Sequence, residues 1–210
     1  MSRDAQIQML RFKTMLARMG ESREDDDPDG IETRSLRARL LMRIRGGQML
    51  SDLRKRGLQA EPPIRLVAGS LVDPRFPWAV EIGAHTIIAN DVRIIAHDAA
   101  IKRLTGYTEV LPVKIGKRCY IGAGTIVLPG TVIGDEAVIG AGAVVRGEIP
   151  PRSLAVGTPA KVVGSIDDLR ARHLAQIESS PRFGRPSELG AAQIGEMRRA
   201  LQQHGRIYVR

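Results

Sequence analysis

Aromatic residues are scarce in this sequence: they make up 3% of it, with a single tryptophan. A broad sandwich core is usually filled by rings, so a narrower core of aliphatic side chains is expected. There is one cysteine, Cys119. An intramolecular disulfide is thereby excluded, and a reducing, cytoplasmic setting is the simplest. No apolar run approaches the roughly 20 residues needed to cross a bilayer, and no membrane span is expected. The first twenty residues mix charges with apolar residues and lack the apolar block of a signal peptide.

What the chain has in quantity is glycine, 22 in 210 residues, and positive charge, formally +9. Such a balance suits nucleic acid, an anionic surface or anionic small molecules. Nucleic-acid binders usually add exposed aromatics or a recognisable module, and neither is present, so nucleic acid is not expected as a partner. A phosphorylated ligand would account for part of the charge.

The dominant signal is an internal repeat, which decides a fold before anything else does. From Ile115 the chain reads in sixes: IGKRCY, IGAGTI, VLPGTV, IGDEAV, IGAGAV, VRGEIP. The first position is always Ile or Val (Ile115, Ile121, Val127, Ile133, Ile139, Val145), and the fifth is small or β-branched in Cys119, Thr125, Thr131, Ala137 and Ala143. Upstream, Ile82, Ile88 and Ile94 keep the period, and counting back by sixes gives Phe76, Ser70 and Ile64, a poorer fit. Between Ile94 and Ile115 the phase breaks, around residues 98–112. Three hexads make one triangular coil: a branched aliphatic points inward at position one and a small residue sits near the corner at position five. Glycine at position two is expected where the backbone turns. Stacked coils form parallel sheets, each coil burying the edge of the next.

The flanks read differently. Residues 5–19 have roughly helical apolar spacing, 21–30 form an acidic loop, and 35–58 read as a basic helix. Ser165, with Asp168 three residues on, resembles a capped helix start, and residues 187–203 read as a second helix ending at Gly205. The expected organisation is a helical extension over 1–63, coils over 64–163 with an excursion loop at 98–112, and a helical tail over 164–210.

The stretches IIAHDAAIKRLTGYTEVLPVKIG, IGAGTIVLPGTVIGDEAVIGAGAVV and EIPPRSLAVGTPAKVV resemble the hexapeptide-repeat acyltransferases, in particular the galactoside and maltose O-acetyltransferase type. The resemblance covers about half the chain. It implies a mainly β fold, a left-handed parallel β-helix; the handedness comes from the resemblance and not from the spacing. It implies acetyl-CoA as acyl donor, a saccharide hydroxyl as acceptor, and a homotrimer with sites at subunit interfaces.

Acyl transfer from a thioester needs a base for the hydroxyl proton, a donor for the oxyanion and a grip on the donor molecule. His97, where the repeat breaks, resembles the family's catalytic base, with its Nδ1–H held by a carbonyl or a carboxylate. Asp98 is a candidate to orient it, or a plain turn residue. By resemblance, Ala123 supplies a backbone oxyanion donor, and Ala123, Ala141 and Gly142 line the pantetheine arm. Lys161 matches a phosphate-binding position; the next basic position falls on Gly164, a departure for which Arg146 and Arg152 could compensate. Asp73, Asn90, Asp98 and Tyr107 are the candidate acceptor-binding residues. The acceptor-binding Asn of some members falls near Gly69 and Ser70, which weakens a reading as a galactoside or maltose enzyme. His85 reads as a surface turn residue.

Other classes are open. An amine acceptor would use the same base and donor, making the protein an N-acetyltransferase. A non-catalytic trimeric scaffold or polysaccharide-binding module is compatible with the repeat. A zinc site on such coils needs three histidines, and only His85 and His97 lie in them, so no metal is expected. GAGTIV and GAGAVV lack the last glycine of a dinucleotide-binding fingerprint.

Overall fold

The computed structural model describes residues 50–184 and 190–210. The expected helix at 5–19, the acidic loop at 21–30 and the part of the basic helix before Leu50 lie outside the described residues. The chain divides into two compact units, Met1–Val163 and Gly164–Arg210. No helix among the described residues is long and apolar enough to cross a membrane.

The first unit is a parallel β-helix with three sheets as its faces. One face stacks Gln59–Ala60, Val80–Ile82, Val113–Ile115, Val132–Ile133 and Glu148–Ile149. The second stacks Arg65–Leu66, Ile87–Ile88, Tyr120–Ile121, Val138–Ile139 and Ser153–Val156, with Lys161–Ser165 at its outer edge. The third stacks Leu71–Val72, Arg93–Ile94, Ile126–Val127 and Val144–Val145. Registers align the inward residues in columns: Ile82, Ile115, Ile133 and Ile149; Leu66, Ile88, Ile121, Ile139 and Ala155; Val72, Ile94, Val127 and Val145. All of these are buried. Each large aliphatic so buried contributes about 1.5–3 kcal/mol.

The repeat differs from the expected pattern at two points. The first coil takes its inward residues at Leu66 and Val72, and its first rung at Gln59–Ala60 precedes the expected start at Ile64. Ten residues, rather than six, separate Val72 from Ile82. The phase had therefore already broken there, and Ser70 and Ile64 stand at buried fifth positions. The second difference concerns glycine. The left-handed residue of most turns is at position four, where Gly124, Gly130 and Gly142 but also His85, Asp91, Arg118, Glu136 and Arg152 have positive φ. Position two is glycine because the next coil is too close. A Cβ on Gly134 would lie 2.4 Å from Pro151 N, and one on Gly122 2.5 Å from Ala141 N.

Fifth-position hydroxyls tie turns together. Thr125 Oγ1 donates to Gly140 O, Thr131 Oγ1 to Val145 O, and Thr86 Oγ1 to Gly116 O. Cys119 occupies the same small site; it is buried, and burial pushes its thiol pKa up, so it packs rather than reacts.

The second unit has the helix Ile166–Glu178, capped at Ser165, whose Oγ accepts from Asp168 N at 3.1 Å. The helix Ala191–His204 ends at left-handed Gly205 (φ 66°), and residues 187–189 of the expected helix lie outside the described residues. The strands Arg182–Phe183 and Tyr208–Val209 pair in parallel. None of the described residues of this unit reaches full burial of a hydrophobic side chain.

Candidate active site

The two breaks in the hexad period fall on one edge of the prism, where the chain passes from the third face to the first. At the lower break the insertion runs from Asp73 through the short 3-10 turn Pro77–Ala79. At the upper break the chain leaves the coils as a two-stranded antiparallel ladder, His97 facing Val110 and Asp98 facing Glu109. Leu111 N returns to Ala96 O at 2.9 Å and closes the base of the loop. The loop between carries a single helical turn, Lys102–Thr105, ended by left-handed Gly106.

This arrangement sets Asp73 under His97. Asp73 Oδ2 lies 2.5 Å from His97 Nδ1 and accepts Ala96 N at 2.9 Å. Its Oδ1 accepts the amides of Arg75 and Phe76, both at 2.9 Å. The carboxylate side chain is 0% exposed, and the imidazole 21%. Burial by itself would raise the Asp73 pKa. The His97 hydrogen bond and the three backbone amides more than offset it and hold the carboxyl below its ordinary range. An ionised carboxylate accepts only, so the proton of neutral His97 sits on Nδ1 and Nε2 presents a lone pair. The Phe76 ring packs edge-on against the imidazole, centroids 5.1 Å apart. His97 is thus fixed in tautomer and in orientation, as a general base requires.

The sequence-level candidates divide over different edges. Asp73, expected at the acceptor, is instead buried with both oxygens taken up by the turn and by His97. Asp98, a candidate to orient His97, is exposed, and its Oδ1 accepts Ala100 N. Tyr107 stands 78% exposed on the loop. Arg146 follows Val145 and is on the His97 edge. Asn90, Ala123, Ala141 and Gly142 occupy another edge, where the second face passes to the third. There the turns stack through Gly124 N to Asn90 O at 2.9 Å and Gly142 N to Ala123 O at 2.8 Å. Asn90 is therefore separated from His97 within one chain. Lys161 is exposed on the outer strand of the second face.

The edge with Ala123 is poor in side chains. Ala123 and Ala141 are exposed, and a Cβ placed on Gly124 or Gly142 would meet nothing within 4 Å. The Asp73–His97 pair was missed by counting in sixes. Its signal was there: an Asp directly after an inward Val, followed by Pro, Phe, Pro and Trp, inside a ten-residue spacing.

Comparison with known proteins places these features. Residues 112–147 match the family of the bacterial transferase hexapeptide (six repeats). The chain is 35% identical over 99 residues to the galactoside O-acetyltransferase of Escherichia coli (strain K12), covering 46% of this chain and 48% of that protein. It is 52% identical over 66 residues to a Staphylococcus aureus (strain Mu50) protein provisionally named an acetyltransferase, covering 31% of this chain and 33% of that one. The matched stretch thus spans between a third and about half of the length of these relatives. Among solved structures, a maltose O-acetyltransferase from Clostridium difficile 630 is similar at 27% identity and a TM-score of 0.47, covering 61% of this chain and 84% of that chain.

Proposed function

We propose that this chain, whose coils carry the transferase hexapeptide, is an acetyl-CoA-dependent O-acyltransferase acting on a hydroxyl of a saccharide or polysaccharide precursor. The observation that carries the reading is the Asp73–His97 pair, with the carboxylate fully buried and the imidazole partly exposed. His97 Nε2 takes the proton of the acceptor hydroxyl as its oxygen bonds to the thioester carbonyl carbon. Asp73 stabilises the imidazolium formed on the way. The backbone N–H of Ala123 stabilises the oxyanion. When the carbon–sulfur bond breaks, the imidazolium returns the proton to the departing thiolate, so base and acid are the same group and protons balance. Ala141 and Gly142 line the donor's arm, and Lys161 with Arg146 meets its phosphates.

Because His97 and Ala123 lie on different edges of one chain, the reading includes a left-handed coil assembled as a homotrimer, with the His97 edge of one subunit set beside the Ala123 edge of the next. The outward residues support this. The first face carries Glu81, Lys114, Val132 and Glu148, with Lys114 Nζ 3.4 Å from Glu81. The second carries Arg65, Ile87, Tyr120, Val138 and Leu154, and the third Leu71, Arg93, Ile126 and Val144. Two largely apolar faces, each with an arginine, and one largely charged face suit burial about a threefold axis. A cytoplasmic location, where acetyl-CoA is made, goes with the proposal. Calorimetric titration of acetyl-CoA into the purified protein tests it: about one site per subunit is expected. Absence of binding by a folded trimer would overturn the reading.

A further inference from the structure

The lower insertion does more than bring Asp73 to His97. It ends in Trp78, the single tryptophan of the chain, which stands 56% exposed. Trp78 is held firmly for a surface residue. Its Cβ packs on Gly57, where an added Cβ would come within 2.8 Å of it. Its turn is closed by Ala79 N to Phe76 O at 3.0 Å, by the Asp73 carboxylate on Phe76 N, and by Arg56 hydrogen-bonded to Pro74 O. The rings form a continuous series. Imidazole and Phe76 are 5.1 Å apart, and Phe76 and Trp78 6.0 Å apart at right angles. Phe76 is half-buried and acts as the spacer, and Trp78 is exposed.

A large ring fixed in the open, one ring removed from His97, gains little from its own burial, since most of its surface is still wet. It does offer a flat, preorganised apolar plate with an N–H at its rim. The ligand that fits such a plate has an apolar face of C–H groups and a periphery of hydroxyls, which describes a pyranose ring. Building on the acyltransferase reading, we infer that Trp78 is the acceptor platform: a sugar ring of the acceptor stacks on the indole while a hydroxyl of the same or the adjoining sugar reaches His97 Nε2. The Pro74–Ala79 insertion thereby sets acceptor specificity, with Asp73 at its start serving the base and Trp78 at its end serving the sugar.

Because no other tryptophan is present, intrinsic emission excited at the indole band reports Trp78 alone. The first experiment titrates methyl pyranosides and oligosaccharides of two to four sugars into the wild-type protein without acetyl-CoA. A saturable change in emission is expected for at least one of them, and none for aliphatic diols of similar hydroxyl content. The second compares Trp78→Ala and Trp78→Phe in thiol release from acetyl-CoA. Trp78→Ala should raise the sugar acceptor KM roughly three- to tenfold, with the donor KM unmoved, and Trp78→Phe should recover most of the loss. Silence of the emission towards every sugar, together with an unchanged acceptor KM in Trp78→Ala, overturns the inference and leaves acyl transfer standing. So does a Trp78→Ala variant that dissociates into subunits, because the indole would then be a subunit contact. Saturable sugar binding without thiol release to any acceptor would sustain the platform and defeat the acyltransferase reading.

Discussion

Replacing Asp73 by Asn tests the arrangement on which catalysis is argued. The side chain keeps its shape, but one of its two acceptors becomes an NH2 donor. Oδ1 receives two turn amides at 2.9 Å, and Oδ2 receives Ala96 N and His97 Nδ1. The amide oxygen will keep the turn, so the NH2 faces Ala96 N and His97. Two costs follow. The buried Ala96 N–H loses its acceptor, worth about 1–3 kcal/mol, or roughly 2–10 °C in Tm for a chain of this size. His97 must now accept at Nδ1, which places its proton on Nε2, the atom that has to act as base. The wrong tautomer in a histidine–carboxylate pair costs on the order of 10⁴-fold in kcat, and about 10³–10⁴ is expected here. The assay is thiol release from acetyl-CoA with a saccharide acceptor, alongside calorimetric binding of acetyl-CoA, which should be retained. The pH dependence adds an independent check. The folded-state pKa of Asp73 lies below its unfolded value, so its stabilising contribution is complete above about pH 4 and fades as pH falls through the lower folded value. The Asn variant does not titrate there, and the gap in Tm between the two proteins should narrow only below pH 4. Activity within threefold of wild type in a folded Asp73→Asn protein would refute the tautomer argument.

His97→Ala should lower kcat by at least 10²–10⁴ with acetyl-CoA binding intact by calorimetry; equal loss of binding would mean that His97 shapes the donor site instead. Gly134→Ala, at a position with ordinary φ but with Pro151 N at 2.4 Å from the new Cβ, should destabilise by about 1–3 kcal/mol, read as a lower Tm; no change would show that coil spacing can relax. His85→Gly moves the other way. His85 is exposed with φ 61°, and relief of the left-handed strain, about 1–2 kcal/mol less the entropy cost of glycine, should leave Tm unchanged or raise it by a few degrees. A marked fall would assign the imidazole a contact of its own. Glu136, bonded to Arg118 and Arg152 on an exposed edge, should matter little: Glu136→Gln is expected to change Tm by less than about 2 °C, and less still at high salt.

The period of six determined the coils before any coordinate was known. A residue that must point inward every sixth position is best a branched aliphatic, and the columns Ile115–Ile133, Ile121–Ile139 and Val127–Val145 follow from that requirement. The same local chemistry marked the Ser165 cap and the glycine stop at Gly205. His97 was legible because a titratable residue stood where the period failed. Tertiary structure decided the rest, because it depends on neighbours eighteen or more residues away. Why position two is glycine is a matter of the next coil's backbone, so a turn conformation was the wrong inference from composition. Whether Asp73 met sugar or imidazole depended on the ten-residue spacing from Val72 to Ile82, which shifts the first coil and brings residues 24 apart within 2.5 Å. That His97 and Ala123 fall on separate edges is likewise invisible along the chain: position in the hexad is written in the sequence, but which corner of the prism a hexad turns is a count of strands, and only the closed stack of coils fixes it.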